Sequence, residues 1–302
     1  MPKESEPLIE QSNELRIRAR AAYRRGDLAG AESLYESARL LAQQGGDEPL
    51  EDLCACSRAG LAIELERGDS ELPALRALLL RNSTPFTGFL AAYWIARHYE
   101  LKKDYGKALF YGQAALKRAR VVDESEPISG ALNLVGNALL AQGYFAEAGT
   151  HFEAALAAAP SADPLAGALF GINLGYCQVL TGEPKRGLGN LLRSARYLRR
   201  LDASRYLAQA HLDASYGYLE IDRPAAALRH GRRALELAVA VDWTTGQKNA
   251  LYLLGQSARL NGDAQGARAH FASLQADFYP KQPYLPDFLM SADIRALVNL
   301  HA

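Results

Sequence analysis

The stretch LNLVGNALLAQGYFAEA, residues 132–148, returns three more times along the chain. Its counterparts are INLGYCQVLTGEPKRG at 172–187, HLDASYGYLEIDRPAAA at 211–227 and LYLLGQSARLNGDAQGA at 251–267. Gly136, Gly175, Ser215 and Gly255 share one slot, at spacings of 39, 40 and 40 residues, and Gly143, Gly182, Asp222 and Gly262 share another. Within the first copy, Leu132, Val135, Gly136, Leu139, Ala148, Phe152 and Ala155 recur at the intervals of amphipathic helices. Ala141-Gln142-Gly143-Tyr144 breaks the pattern and reads as a turn between two antiparallel helices. Gly136 and Ala148 are small enough to let the two backbones approach closely. A helix pair repeated at a fixed period buries its apolar face on its neighbours, which is the mark of a solenoid.

This pattern resembles the tetratricopeptide repeat. Small residues in the first helix, Ala148 in the second, an aromatic residue four later, Ala155 after that and the closing Pro160 all match. The resemblance continues at Gly175/Gly182, Asp222/Ala227/Ala234 and Gly255/Gly262/Ala267/Phe271. It reaches back through Ala96/Tyr99/Asp104/Ala108/Ala115 to Ala19/Gly26/Asp27/Ala31/Tyr35/Ala38. A degenerate unit fits over 54–87, turning at Gly68-Asp69, with Pro73 and Leu80 where the family has Ala. The expected fold is therefore all-α: a right-handed superhelical solenoid of about seven helix-turn-helix repeats over 12–280, forming one domain across 1–302. The family period is about 34 residues. Here it is nearer 40, so helices or inter-repeat loops must be longer, with surplus residues such as 161–165. Residues 278–286 carry three prolines and are expected to be non-helical. A capping helix with Phe288, Leu289, Ile294, Leu297 and Val298 should close residues 281–302.

Composition narrows the function. Lys plus Arg and Asp plus Glu both number 34, so whole-chain charge gives no pull toward nucleic acid or a membrane. There is no signal-like N-terminus and no run of about 18 apolar residues, which makes a cytoplasmic location the expectation. Cys54, Cys56 and Cys177 read as small packing residues, because no second Cys or His pair stands at zinc spacing. His98, His151, His211, His230, His270 and His301 are scattered. With no catalytic or phosphate-loop motif present, neither an enzyme, a cofactor nor a metal is expected.

In the resembling family the first helix of each pair lines the concave surface. Carried onto this chain, its groove slots hold Asn133, Asn137, Asn173 and Tyr176, then Gln209, Asp213, Tyr216 and Glu220, then Asn249, Tyr252 and Gln256. An amide can both donate to and accept from the backbone of an extended peptide, and Tyr adds contact area with a polar tip. Asn137 and Asn173 also match slots of the carboxylate-clamp subclass, but the cations of that clamp are replaced by Asn133, Gln209 and Asp213. The N-terminal groove is basic: Arg16, Arg20 and Arg24 share one helical face, and Arg58 and Arg97 follow. Arg forks suit an acidic segment, while Glu66 and Glu100 could instead neutralise them. The cluster Arg193/Arg196/Arg199/Arg200/Arg205 lies on or after a second helix, and Lys102/Lys103/Lys107/Lys117/Arg118/Arg120 form another; second helices make the convex face, so both read as a solvated ridge.

The resemblance implies a scaffold or adaptor that holds a protein or peptide segment in its groove, acidic where it meets the N-terminal arginines. It implies no nucleic acid and no membrane, and leaves a homo-oligomer open. The alternative is a regulatory sensor, since long-period arrays also resemble the peptide-sensing halves of bacterial signalling regulators. Residues before 12 and after 280 leave no room for an output domain, so such a sensor would dock on a separate effector.

Overall fold

The computed structural model describes residues 5–25, 27–161 and 163–291, together with the backbone but not the side chain of Arg24. Among them every regular element is helical. The chain divides into two compact units, Met1–Gln142 and Gly143–Ala302. The boundary falls in the turn predicted at 141–144.

The first unit holds α1 (Ser5–Arg24), α2 (Leu28–Gly45), α3 (Glu48–Glu64), α4 (Leu72–Arg81), α5 (Pro85–Leu101), α6 (Tyr105–Val122) and α7 (Ser125–Ala141). The degenerate unit is real but lies earlier than expected. It spans α3 and the ten-residue α4, and a single 3-10 turn, Gly68–Ser70, occupies the predicted corner. Pro73 does not break α4 because it sits in the first turn, where its missing N–H has no intrahelical acceptor. Leu80 is 86% exposed, which is why no Ala is needed at that slot.

The second unit holds α8 (Phe145–Ala158), α9 (Pro164–Leu180), α10 (Pro184–Arg200), α11 (Ser204–Glu220), α12 (Pro224–Ala240), α13 (Thr244–Leu260), α14 (Ala264–Phe278) and α15 (Leu285–Ser291). From α9 to α13 each helix is 17 residues long and is followed by a link of three. Two such steps make the 40-residue period, so the extra length goes into helices rather than loops. Pro164 and Leu165, expected in a surplus loop, begin α9.

One backbone device follows α7, α9, α11 and α13. Gly143, Gly182, Asp222 and Gly262 all have left-handed φ, at 84°, 86°, 54° and 83°. The slot favours glycine because a Cβ strains that conformation, and Asp is among the few residues that tolerate it. Lys103 carries the same geometry at 60° in the preceding repeat. The neighbouring Asp104 caps α6 by accepting from the Lys107 N–H at 3.2 Å.

The core slots hold as expected: Ala148, Phe152, Ala155, Ala267 and Phe271 are all 0% exposed. The proline-rich stretch was read too broadly. Phe278 ends α14, and Leu285 and Pro286 open α15, since proline is tolerated in a first turn. Leu289 packs onto Phe271 and Leu274, giving the expected cap, while Phe288 is half-exposed. Ile294, Leu297 and Val298 lie outside the described residues. No described helix is long and apolar enough to cross a membrane.

Candidate functional site

In the first unit, the first-helix face is built by three ranks of side chains at helical spacing. Arg16 and Arg20 stand on α1, Leu53, Ser57 and Leu61 on α3, and Phe86, Leu90 and Trp94 on α5. Residues four apart fall on one helical face, so each rank is a stripe. The stripes converge on a cleft of about 190 Å³ that Glu126 of α7 borders. Gly60 makes this possible, because any Cβ there would collide with the Trp94 indole lying on α3.

The arginines of this face have different fates. Arg20 grips Glu126 with one amino group at 2.7 and 2.6 Å from the two carboxylate oxygens, and both side chains remain largely in solvent. Arg16 makes a single 3.3 Å bond to Asn13 through Nε and has no ion pair among the described residues. Arg58 is held by Glu71 at 2.7 Å and Glu36 at 3.4 Å. Arg97, expected to offer charge to a ligand, is committed inside the scaffold. Its Nε donates to Glu64 of α3 at 3.1 Å and its Nη1 to Glu100 at 2.8 Å. Burial alone would lower the Arg97 pKa, but the pull of Glu100 and Glu64 and their hydrogen bonds hold it above its ordinary value.

Asn137 belongs to the same ladder. Its Nδ2 donates to Glu100 Oε1 at 2.9 Å, tying α7 to α5. The accepting carboxylate lies one repeat away. Asn133, also on α7, is half-buried.

In the second unit α9, α11 and α13 pack side by side, so their groove slots form a row. Asn173, Gln209, Asn249 and Tyr252 are half-buried there, and Gln209 donates to Asp213 at 2.8 Å. Three expected groove residues are instead buried. Tyr176 is 0% exposed and Tyr216 8%, their rings 6.4 Å apart, because the close helix spacing leaves these rings inside the packing layer. Gln256 is covered by α15, donating to the Leu289 carbonyl at 3.5 Å and accepting from Arg259 at 2.9 Å.

One polar pair was not foreseen. His211 of α11 and His230 of α12 meet Nδ1 to Nδ1 at 2.9 Å, so one ring donates and the other accepts. The two lie on the facing helices of one hairpin, 11 residues before and eight after the Asp222 turn. Burial, then the neighbouring His230, Arg199 and Arg233, push the His211 pKa down to about 4. Its buried Nε2 finds no hydrogen-bond partner. The three thiols are buried too, and burial raises Cys54 to about 11 and Cys56 and Cys177 to about 12. Part of the basic ridge is internally engaged, with Arg205 stacked 3.4 Å from the Trp243 ring centre and Lys102 held by Asp69 at 2.8 Å.

No family model and no curated protein matches the chain. Solved structures do. The apo form of RapI aligns with a TM-score of 0.71 at 12% identity, over 93% of this chain and 82% of its own. A Rap protein complexed with Competence and Sporulation Factor aligns at 0.68 and 12% identity, over 97% and 79%. A signal-transduction ATPase with a tetratricopeptide repeat sensor from Pyrococcus horikoshii aligns at 0.67 and 16% identity, over 93% of this chain and 44% of its own. At such identities the likeness speaks to fold, and the fold is that of the tetratricopeptide-repeat proteins.

Proposed function

We propose that this chain is a non-catalytic binding protein that holds an extended peptide or protein segment against its first helices. The observation that carries the reading is the row on α9, α11 and α13. Asn173, Gln209 and Asn249 repeat there at near-equal steps, with Tyr252 beside them. Amides suit a backbone partner because the group both donates and accepts, and Gln209 is oriented in the row by its bond to Asp213. In the first unit Arg16 and Arg20 add a preference for negative charge. The protein acts as a scaffold or adaptor in the cytoplasm.

The test begins with affinity capture from the native cell. Binding of the captured protein is then compared between the wild type and Asn173→Ala/Gln209→Ala/Asn249→Ala. Each lost hydrogen bond is worth about 0.5–1.5 kcal/mol, so the triple variant should bind at least tenfold more weakly. Unchanged binding would move the site off this row.

A second reading is supported by the similar folds: one is complexed with Competence and Sporulation Factor and another is described as a sensor. In that reading the same row receives a signal and passes it to a separate effector by repacking adjacent repeats. A ligand-dependent change in small-angle scattering would favour the sensor, and an unchanged profile the scaffold.

A further inference from the structure

The cleft of the first unit combines two features that together specify a ligand. Its walls are apolar and only partly covered. Phe86, Leu90 and Trp94 of α5 are each half-buried, facing Leu53 of α3 across the cleft. An apolar wall beside placed polar groups, here Arg16, Arg20, Tyr35, Ser57 and Glu126 among the lining residues, is a form that small-molecule sites take. At about 190 Å³, below the roughly 300–1,000 Å³ of most ligand sites, it has room for a single ring or branched chain.

Its rim is cationic. Arg16 and Arg20 stand one turn apart on α1, against one lining carboxylate, Glu126. Tyr35 also lines the cleft. Burial raises the Tyr35 pKa, while its Ser57 hydrogen bond and then Arg20 and Arg16 act the other way. Arg16 keeps both amino groups clear of any carboxylate among the described residues. The Arg20–Glu126 pair is 47% and 61% exposed, and an exposed pair of this kind is worth little, so a competing anion can open it.

We infer that this cleft binds a small free carboxylic acid with an aromatic or branched apolar body. The apolar part lies against Phe86, Leu90 and Trp94, and the carboxylate reaches Arg16 and displaces Glu126 from Arg20. The inference deepens the first-unit part of the proposed function and rests on taking that face as ligand-facing. It does not require the amide row of the second unit.

Calorimetric titration of the full chain tests it with 3-phenylpropanoate as probe. Against it are run 3-phenylpropanamide, which lacks the charge, acetate, which lacks the body, and the peptide Ala-Ala-Phe with a free C-terminus. The acid should bind at one site, with the amide and acetate at least tenfold weaker. Arg16→Gln should weaken the acid at least tenfold. Glu126→Gln, which removes the competing carboxylate, should tighten it several-fold. Equal binding of acid and amide would overturn the inference, as would no binding of the acid at millimolar concentration, or binding of the peptide alone. If Arg16→Gln fails to fold, the acid-to-amide comparison on the wild type still decides. Loss of the acid with retention of partner binding on the second unit would remove this inference and leave the proposed function standing.

Discussion

Gly175 and Gly187 bring α9 and α10 together backbone to backbone. A Cβ built on Gly175 would lie 2.9 Å from the Gly187 carbonyl oxygen and 2.8 Å from Leu191 Cγ, and one on Gly187 would collide with the Gly175 carbonyl oxygen. These are the slots of Gly136 and Ala148 one repeat on. The obstacle is backbone, which cannot swing aside as a flexible side chain can. Gly187→Ala should therefore destabilise the fold by about 1–3 kcal/mol, the usual size of an overpacking cost. It should do so even though Ala gains about 1 kcal/mol over Gly inside a helix. Gly189, two residues along α10, faces open space. Gly189→Ala should keep that helical gain and raise the melting temperature. Urea unfolding of the two variants gives opposite signs if the contact is as described.

The Glu64–Arg97–Glu100–Asn137 ladder links α3, α5 and α7. The Arg97 side chain is 29% exposed, Glu64 26% and Glu100 15%. Arg97→Met would leave two partly buried carboxylates facing each other without a cation. Fully buried pairs cost about 3–5 kcal/mol when one partner is removed and exposed pairs about 0–1. An intermediate loss of roughly 2 kcal/mol is expected here, measured by chemical denaturation. Glu64→Gln/Glu100→Gln added to Arg97→Met should restore part of it. No recovery would mean that the lost packing of the Arg97 stem, not its charge, set the cost.

The fold was legible because its decisive residues act through sterics at fixed slots. The left-handed turn at Gly143, Gly182, Asp222 and Gly262 and the core positions of Phe152 and Phe271 follow from residue size and period alone. The site was less legible. A groove slot specifies which way a side chain leaves its helix, not what it meets. Asn137 meets Glu100, Gln256 meets α15, and Tyr176 meets Tyr216. Those partners sit on other helices, 33 to 40 residues away. The basic stripe of Arg16 and Arg20 was readable, but the apolar walls opposite it come from two further helices.

The His211–His230 pair should make the second unit acid-sensitive. A His in an unfolded chain titrates near about 6.5, whereas His211 in the fold is lowered to about 4, by burial first and then by the charges of His230, Arg199 and Arg233. His230 is lowered as well, by burial and then Arg229. Between those pH values the unfolded state binds more protons than the folded state, so stability falls as pH falls. It is fully present above about 6.5 and lost progressively toward about 4. Denaturant midpoints measured from pH 7 to 4 should drop less steeply in His211→Gln than in the wild type. Parallel slopes would show that other groups carry the acid sensitivity.

At the end of the second unit, α15 covers α13 and α14 chiefly through Leu289, which is 6% exposed and packs in the cluster of Leu251, Phe271 and Leu274. The Arg268–Asp287 ion pair that also spans α14 and α15 is exposed at both ends and contributes little. A buried Leu→Ala change costs about 2–5 kcal/mol in a closed core. At a terminal repeat the loss should stay local, because each repeat rests on its neighbours. Leu289→Ala should therefore speed amide hydrogen exchange in α13 and α14 while leaving α9 and α10 protected as in the wild type. Uniform acceleration across the unit would show one cooperative block in place of stacked repeats. No change at all would mean that α15 does not support α13 and α14.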